Sequence, residues 1–232
     1  MSAAANGPAV LSGTGLRKSF GQTEALRGVD VAVQPGEVLA IMGPSGSGKS
    51  TLLHCLAGVL VPESGEVVFD GRPVSALPDK DRSKLRLAKF GFVFQFGQLL
   101  PDLCAVDNVA MPLLLAGAKR ADATRQATEW LDRFGLGDQA NKVPGDMSGG
   151  QAQRVAVARA MVANPRVLFA DEPTGSLDSL AAEQVLTAMM DQARLAGTAV
   201  VLVTHDPRTA SYADREIVVR DGRISGAYEV AA

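Results

Sequence analysis

Nine consecutive residues combine the groups that a phosphate site needs. Residues 43–51 read GPSGSGKST and directly follow an apolar run at 38–42. Glycines leave room for successive backbone N–H groups to surround phosphate oxygens, and the helix that follows points the positive end of its dipole at them. Lys49 is expected to reach the outer phosphates, and the Ser50 hydroxyl to bind a magnesium ion that bridges them. The predicted nucleotide-binding residues are Gly43, Pro44, Ser45, Gly46, Ser47, Gly48, Lys49, Ser50 and Thr51.

The flanks of this loop support the same prediction. The run before it has the composition of a buried strand, and residues 51–57 read as an apolar helix that Gly58 ends. A glycine-rich turn that binds nothing would require neither flank. We therefore favour a nucleotide site over a simple turn.

Two carboxylates follow a second apolar run. Residues 167–170 read as a buried strand that ends in Asp171 and Glu172. Because neighbouring residues at a strand end point in different directions, the two carboxylates can have different roles. Asp171 suits direct or indirect magnesium binding, and Glu172 suits polarising a water for attack on the γ-phosphate. Taken alone, the pair could equally be helix-capping charges.

Polar side chains also end two further strand-like runs. His205 follows the run 199–203, where α/β folds place ligands, and it could donate a hydrogen bond to a γ-phosphate oxygen. Gln95 follows the run 91–94, and its amide could meet both the magnesium ion and the attacking water. His54 lies in the apolar helix after the phosphate loop, so packing is the preferred interpretation for it.

A second possible phosphate cradle lies at residues 147–151, which read MSGGQ. A helix is predicted at 152–163, so the backbone N–H groups and the hydroxyl at its start can face an anion. If each chain binds ATP on one cradle and caps a partner's ATP with the other, a two-fold dimer uses both. The residues predicted to contact the partner's nucleotide are Ser148, Gly149, Gly150 and Gln151.

Composition narrows the class of protein. The chain has 232 residues, 47% of them hydrophobic and 21% charged, which is enough for a well-buried core. A formal net charge of -2 provides no basic field for nucleic acid phosphates, so nucleic acid is not an expected partner. No apolar stretch approaches the roughly twenty residues that span a bilayer, and residues 1–10 resemble a flexible tail without a secretory signal. The chain is therefore expected in the cytoplasm, with Cys55 and Cys104 as buried free thiols.

The pattern of elements predicts an α/β fold. Tight turns between the early strand-like runs favour antiparallel pairing, whereas later runs alternate with helical stretches, which favours a parallel sheet. Residues 95–145 are mainly helical in pattern. We predict one domain, residues 11–232, with a P-loop NTPase core, an antiparallel β flank and a helical subdomain inserted at about 96–160. The predicted strands are 26–33, 37–42, 66–70, 90–94, 167–170, 199–203 and 216–220, and the helices include 120–134 and 180–195.

The motifs and their order resemble those of the nucleotide-binding subunits of ABC transporters, over about residues 16–226. In that family GPSGSGKST is the Walker A loop, Gln95 belongs to the Q-loop, and MSGGQ is the signature. Residues 167–172 correspond to the Walker B strand, 176–178 look like the D-loop, and His205 looks like the switch histidine.

The resemblance implies more than the spacing does. Phe20 stands where the family stacks an aromatic ring, commonly tyrosine, on adenine, and phenylalanine keeps that π-face. Family members bind ATP with magnesium between two head-to-tail subunits, close on binding, reopen after hydrolysis and so drive a membrane permease. The resemblance therefore implies an ATPase that forms an ATP-dependent homodimer. It also implies a position on the inner face of the cell membrane, through separate permease subunits.

One branch of the family is most similar. Residues 91–113 and 170–178 resemble the branch that pairs with lipoprotein-releasing, macrolide-exporting and antimicrobial-peptide-resistance permeases. Met147 replaces the usual signature leucine, a change that conserves volume. Residues 104–105 and Asp107 depart from the threonine and glutamate that are common in that branch.

Two other functions stay open on the sequence. One is a regulatory ATPase whose membrane partner transmits force to cell-wall enzymes, with the same ATPase chemistry. The other is a soluble ABC protein of DNA repair or translation. Such proteins usually carry long coiled coils, zinc modules or two tandem nucleotide domains, and this sequence has none of these. A transporter subunit is therefore the leading hypothesis.

Overall fold

The computed structural model describes residues 8–230, and within that range it contains ten strands and seven α-helices. Two short 3₁₀ helices, Gly137–Gln139 and Pro144–Asp146, precede the fifth α-helix. The strands are β1 (Leu11–Phe20), β2 (Thr23–Val33), β3 (Val38–Met42), β4 (Ser64–Phe69), β5 (Arg72–Pro73), β6 (Phe90–Phe94), β7 (Val167–Asp171), β8 (Ala199–Val203), β9 (Arg215–Arg220) and β10 (Arg223–Glu229). The helices are α1 (Lys49–Leu56), α2 (Asp79–Lys89), α3 (Ala105–Leu115), α4 (Arg120–Arg133), α5 (Gly149–Met161), α6 (Ser179–Ala196) and α7 (Pro207–Ala210).

The chain divides into two compact units. The first unit contains the residues up to Arg86 and those from Gly197 onward, and the second contains Leu87–Ala196. In the first unit, β1 pairs antiparallel with β2 and β4, in the order β2-β1-β4-β5. β3 lies between β8 and β9 and is parallel to both, and β10 pairs antiparallel with β9. Residues 38–41 of β3 are fully buried, as expected for a parallel strand covered on both faces.

The second unit combines two parallel strands with helices α3 to α6. β6 pairs with β7, and Phe94 lies opposite Asp171 in the register. The rings of Phe90 and Phe92 contact the ring of Phe169, with centroids 5.2 and 5.5 Å apart. No strand lies between the end of β6 and the start of β7, a stretch that the structure describes completely. The carboxyl ends of β6 and β7 therefore lie side by side, with a helical segment between them in sequence.

The predicted fold class is confirmed, since the structure has a parallel sheet, an antiparallel sheet and helices. The strand predictions at 90–94 and 199–203 match β6 and β8 at both ends. The antiparallel pairing expected for the early strands is wrong for β3, which joins β8 and β9 in parallel. After the turn at Pro35-Gly36, the chain leaves the antiparallel sheet of β2 and enters the parallel sheet of β8 and β9. Strand β3 is apolar on both faces, so it is stable only where both faces are buried.

Several elements carried no clear signal in the sequence. Strand β1 was missed because glycines and register shifts between Gly13 and Leu16 interrupt its alternation. The two-residue strand β5 and the edge strand β10 were also missed. Helix α2 has no buried residue, so it lacks the apolar periodicity that indicates a helix.

Of the two cysteines predicted to be buried, the structure buries one. Trp130, Met189 and Met190 are also buried and pack in the core. Cys55 is a buried free thiol, and its desolvation raises the pKa of the thiol to about 11. Cys104 is a correction, because it is only half-buried and its Sγ lies 3.2 Å from Asp107 Oδ2.

The N-terminal segment is partly built into the first unit. Residues 1–7 of the predicted tail lie outside the described residues. Val10 is buried, its N–H donates to the Val33 carbonyl at 2.9 Å, and its carbonyl accepts from the Asp70 N–H at 2.9 Å. Between residues 8 and 230, no helix combines the length and the apolar character that crossing a membrane requires.

Candidate active site

The phosphate loop connects β3 to α1, and glycines with positive φ shape it. Gly43 has φ +143° and Gly48 has φ +106°. A Cβ on Gly43 would overlap the Val219 carbonyl oxygen, and a Cβ on Gly48 would overlap that of Ala25. The main chain therefore lies closer to neighbouring strands than any side chain would allow, and glycine is the residue that permits it.

Two side chains of the loop suit an anion. The Lys49 Nζ donates to the Pro44 carbonyl at 2.8 Å, so the cation lies across the loop instead of extending into solvent. Ser47 is 5% exposed, and its hydroxyl has no hydrogen-bond partner within residues 8–230. A buried hydroxyl without a partner is unfavourable unless a ligand supplies one. Both features fit a loop that receives phosphate oxygens.

A cleft of about 290 Å³ opens beside this loop within the first unit. Thr23 and Lys49 line it, together with the turn between β9 and β10. In that turn, the Gly222 N–H donates to the Ser47 carbonyl at 3.0 Å and its carbonyl accepts from the Arg27 N–H at 2.8 Å. The place of the Asp221-Gly222 turn beside the phosphate loop is known only from the structure.

Phe20 lies at the end of β1, opposite Thr23, which lines the cleft. Its side chain is 51% exposed, and the Lys18 Nζ is 5.8 Å from the ring centroid. An exposed ring next to a nucleotide cleft can stack on a base. The predicted adenine contact is therefore physically available in the first unit.

His205 follows β8 at the edge of the sheet where the phosphate loop leaves β3. Ile41 lies opposite Val203, and the Thr204 N–H donates to the Ile41 carbonyl at 3.3 Å. His205 itself is exposed. The structure therefore brings the predicted histidine to the end of the sheet at which the phosphate loop begins.

The second unit brings together Gln95 and Glu172. Because Phe94 and Asp171 are opposite each other in the register, the next residue on each strand lies at a neighbouring strand end. Glu172 has φ +48°, a left-handed conformation that is uncommon for residues other than glycine. Such a conformation at a carboxylate predicted to be catalytic agrees with the tendency of backbone strain to concentrate at functional sites.

The turn after Glu172 contacts Gln95 directly. The Ser176 Oγ donates to the Gln95 carbonyl at 2.8 Å. A Cβ on Gly175 would lie 2.9 Å from the Gln95 Nε2, so the amide lies over this glycine. The Gly175 N–H in turn donates to the Glu172 carbonyl at 3.1 Å. The two predicted catalytic side chains are thus parts of one connected set of loops.

Two side chains of α5 hold these loops, and the sequence did not single them out. Arg159 donates to the carbonyls of Gly97 and Gln98 at 2.7 and 2.8 Å, and burial lowers the pKa of its guanidinium group. Gln153 is 2% exposed and also donates to backbone carbonyls. The only sign in the sequence is that Gln153 is a polar residue among apolar positions of a helix. That pattern does not reveal which carbonyls its amide binds.

The signature residues form the start of α5. The Ser148 Oγ accepts from the Gln151 N–H at 3.2 Å, and the Gln151 Oε1 accepts from the Ser148 N–H at 3.0 Å, which is a capping box. The N–H groups of Gly149 and Gly150 have no carbonyl one turn earlier to bind, because they lie in the first turn. The Ser148 hydroxyl keeps its proton for donation. The helix start can therefore present three donors to an anion.

Glycines at this helix start also allow close packing on the loop before α6 and on the first turn of α6. A Cβ on Gly149 would lie 3.3 Å from the Leu177 side chain, and a Cβ on Gly150 would lie 3.1 Å from the Ala181 Cβ. Leu177 belongs to the predicted D-loop. The signature and the D-loop are therefore in contact within the second unit.

Comparisons with known proteins place this site in a class. A family model described as ABC transporter matches residues 26–175. The dimeric ATP-binding cassette MJ0796, solved in a post-hydrolysis state with ADP and Pi, is 36% identical with a TM-score of 0.88, over 96% of this chain and 99% of that chain. CbiO1 from Clostridium perfringens, part of the ABC transporter complex CbiONQ, is 30% identical with a TM-score of 0.87, over 96% of this chain and 89% of that chain.

The fold and the phosphate loop define a nucleotide-binding α/β ATPase. Within that class, the chain belongs to the ABC transporter family and is an ATP-binding cassette with ATPase activity. The family resemblance drawn from the motifs is confirmed.

Proposed function

We propose that this chain is the ATP-hydrolysing subunit of a bacterial ABC transporter, which dimerises head to tail on ATP and drives a separate membrane permease. The main support for this proposal is that the chain has two different anion-binding segments, one before α1 and one at the start of α5. A two-fold dimer gives each nucleotide one cradle from each subunit. MJ0796 is dimeric and CbiO1 is part of a transporter complex, which supports this proposal. The chain would then lie on the inner face of the membrane through its permease.

Each site residue has a specific role in this proposal. The phosphate loop and Lys49 bind the phosphates, and Phe20 stacks on the adenine. His205 donates a hydrogen bond to a γ-phosphate oxygen. Glu172 polarises the attacking water and Gln95 orients it. A partner's signature residues complete the site by donating to the γ-phosphate.

A magnesium ion is the expected companion of ATP. Its proposed ligands are Ser50, Gln95 and Asp171, which offer a hydroxyl, an amide and a carboxylate oxygen. Magnesium binds such hard oxygen donors, often with only one or two carboxylates and with the phosphates of the substrate. When bound, it would offset negative charge on those phosphates. The donor set of this chain therefore fits the ion.

The catalytic assignment is tested with Glu172→Gln. The substitution removes the negative charge that polarises water while it keeps the size of the side chain. We expect kcat to fall by roughly 10²- to 10⁴-fold and ATP binding to be retained. Steady-state phosphate release measures kcat, and light scattering with ATP and magnesium measures dimer formation. Glu183→Gln is a matched control, because Glu183 is exposed on α6.

The outcomes separate the parts of the proposal. An unchanged kcat in Glu172→Gln would show that Glu172 is not the catalytic carboxylate. An ATP-bound variant that stays monomeric would contradict the head-to-tail dimer.

The permease is tested by purifying this chain from solubilised membranes and identifying the membrane protein that accompanies it. We expect that protein to stimulate ATP hydrolysis in proteoliposomes and to move cargo. Stimulated hydrolysis without cargo movement would instead favour a regulatory ATPase that acts on cell-wall enzymes. Purification with ribosomes or DNA, without a membrane protein, would favour the soluble alternative.

A further inference from the structure

One buried amide joins the two loops that carry the proposed catalytic side chains. Gln153 lies on α5 and is 2% exposed. Its Nε2 donates to the Phe94 carbonyl at 2.8 Å and to the Pro173 carbonyl at 2.7 Å. Phe94 directly precedes Gln95, and Pro173 directly follows Glu172. A single NH₂ group therefore holds the peptides next to both residues.

The chemistry of these partners makes the arrangement specific. A side-chain amide nitrogen has two N–H donors, and both partners here are carbonyl oxygens, which only accept. The nitrogen must therefore face the two loops, and the orientation of the amide is determined by its partners. The contact with Pro173 is buried, so loss of that hydrogen bond would leave its carbonyl without this donor and without ready access to water. The contact with Phe94 is partly buried, and that carbonyl also accepts from the Gly97 N–H at 3.0 Å.

The Pro173 contact bears on the direction of the Glu172 carboxylate. Glu172 has φ +48° and precedes a proline, and both features restrict its backbone. A residue in a sparsely populated conformation keeps it only where the surroundings determine it. The hydrogen bond from Gln153 to Pro173 is one such restraint, and the bond from the Gly175 N–H to the Glu172 carbonyl is another.

The Phe94 contact bears on Gln95 in the same way. The loop after β6 is held on its other side by Arg159, which donates to the carbonyls of Gly97 and Gln98. Both of these hydrogen bonds from Arg159 go to the loop after β6, whereas the Gln153 amide reaches both loops. Together with the Ser176 hydroxyl, which donates to the Gln95 carbonyl, Gln153 therefore links the loop after β6 to the loop after β7.

We propose that Gln153 is a positioning residue for ATP hydrolysis, which fixes Gln95 and Glu172 relative to each other by binding the adjacent main-chain carbonyls. It does not touch the nucleotide in this proposal. The inference rests on the catalytic roles proposed above for Gln95 and Glu172. It predicts an effect on turnover that is separable from ATP binding, because the phosphate loop belongs to the first unit.

The test compares Gln153→Met, Gln153→Glu and the control Gln184→Met. Methionine keeps the length of the side chain without a donor, and Gln184 is exposed on α6. For Gln153→Met we expect kcat to fall roughly 10- to 100-fold, as for other small displacements of catalytic groups, with the KM for ATP within about twofold. Fluorescent ATP analogue binding and thermal unfolding are measured on the same preparations. Gln184→Met is expected to match the unaltered protein in every measurement.

Gln153→Glu provides a pH-dependent measurement that a purely structural role would not produce. A buried carboxylate that faces two carbonyl oxygens has a raised pKa. Once protonated, it regains one O–H donor, so kcat relative to the unaltered protein should rise as pH falls from 8 to 6. A constant ratio across this range would contradict the positioning role.

The remaining outcomes are also decisive. If Gln153→Met hydrolyses ATP at a rate within twofold of the unaltered protein, the proposal is overturned. If its KM rises in proportion to the loss of kcat/KM while kcat is unchanged, Gln153 acts on binding and the proposal is also overturned. Glu172→Gln is measured in parallel. Full activity in that variant would remove the catalytic assignment itself, whereas an inactive Glu172→Gln beside a fully active Gln153→Met would remove only the role of Gln153.

Discussion

The phosphate loop of the first unit and the proposed catalytic loops of the second unit are held in place by different means. The phosphate loop is contiguous in sequence, and its shape comes from glycines whose main chain lies against the carbonyls of Ala25 and Val219. The loops that carry Gln95 and Glu172 lie far apart in sequence, and the buried Gln153 side chain of α5 binds a main-chain carbonyl next to each of these residues.

This difference separates binding from turnover. A change in the phosphate loop alters the surface that binds the phosphates, so it should act on affinity for ATP. A change in Gln153 or Arg159 of α5 alters the position of the groups proposed to act on water, so it should act on kcat.

Among variants that change how the loops are held, the largest effect is expected for Gly43→Ala. The new Cβ would overlap the Val219 carbonyl oxygen, at a φ of +143° that alanine rarely adopts. Overpacking and backbone strain together amount to about 3 kcal/mol. If the loop shifts to relieve the overlap, the same free energy is lost from ATP binding, which becomes about 100-fold weaker. Titration with a fluorescent ATP analogue measures this affinity.

The control for this variant is Gly36→Ala. Gly36 also has positive φ, at +73°, but a Cβ there would meet nothing within 4 Å. We expect a loss of about 1 kcal/mol in the free energy of unfolding and unchanged ATP binding. Equal ATP affinity in both variants would show that close packing of the main chain does not shape the phosphate loop.

A smaller effect, confined to turnover, is expected for Arg159→Met. The substitution leaves the carbonyls of Gly97 and Gln98 without their donor, in a partly buried position. We expect kcat to fall by about 10-fold while the KM for ATP stays within twofold. Arg125→Met is the control, since Arg125 is exposed and forms surface ion pairs with Asp122 and Glu129. A change in KM instead of kcat would break the separation of binding from turnover.

The smallest effect concerns the helix behind the phosphate loop. Cys55 lies on α1, and burial raises the pKa of its thiol to about 11. At pH 8 only roughly one thiol in a thousand is then ionised, so iodoacetamide should label the half-buried Cys104 and leave Cys55 intact. Because the pKa is raised in the folded state, the neutral thiol favours folding below pH 9, and this contribution is lost as pH rises towards 11.

Mass spectrometry of the labelled protein locates the modified cysteine. If Cys55 were labelled as fast as Cys104, α1 would have to unfold locally at a high rate. The phosphate loop would then not be followed by a rigid, buried helix. Addition of ATP is expected to leave the labelling pattern unchanged.

Much of the fold and of the candidate site could be predicted because it depends on local pattern. The phosphate loop is a contiguous motif, and β6, β7 and β8 are apolar runs that each end in a polar residue predicted to be functional. Strand β1 and helix α2 could not be predicted in the same way. Bulges interrupt the alternation of β1, and α2 buries no residue that would mark its inner face.

The sequence by itself determined the family of this protein, and it predicted the chemistry of the site: which residues would bind phosphate and which could polarise water. These properties depend on residue type and short spacing. Only the tertiary structure decided how the catalytic loops are held, because Gln153 binds carbonyls that lie 59 and 20 residues away along the chain. A main-chain carbonyl is present at every residue, so the sequence contains no sign of which ones a buried amide will meet.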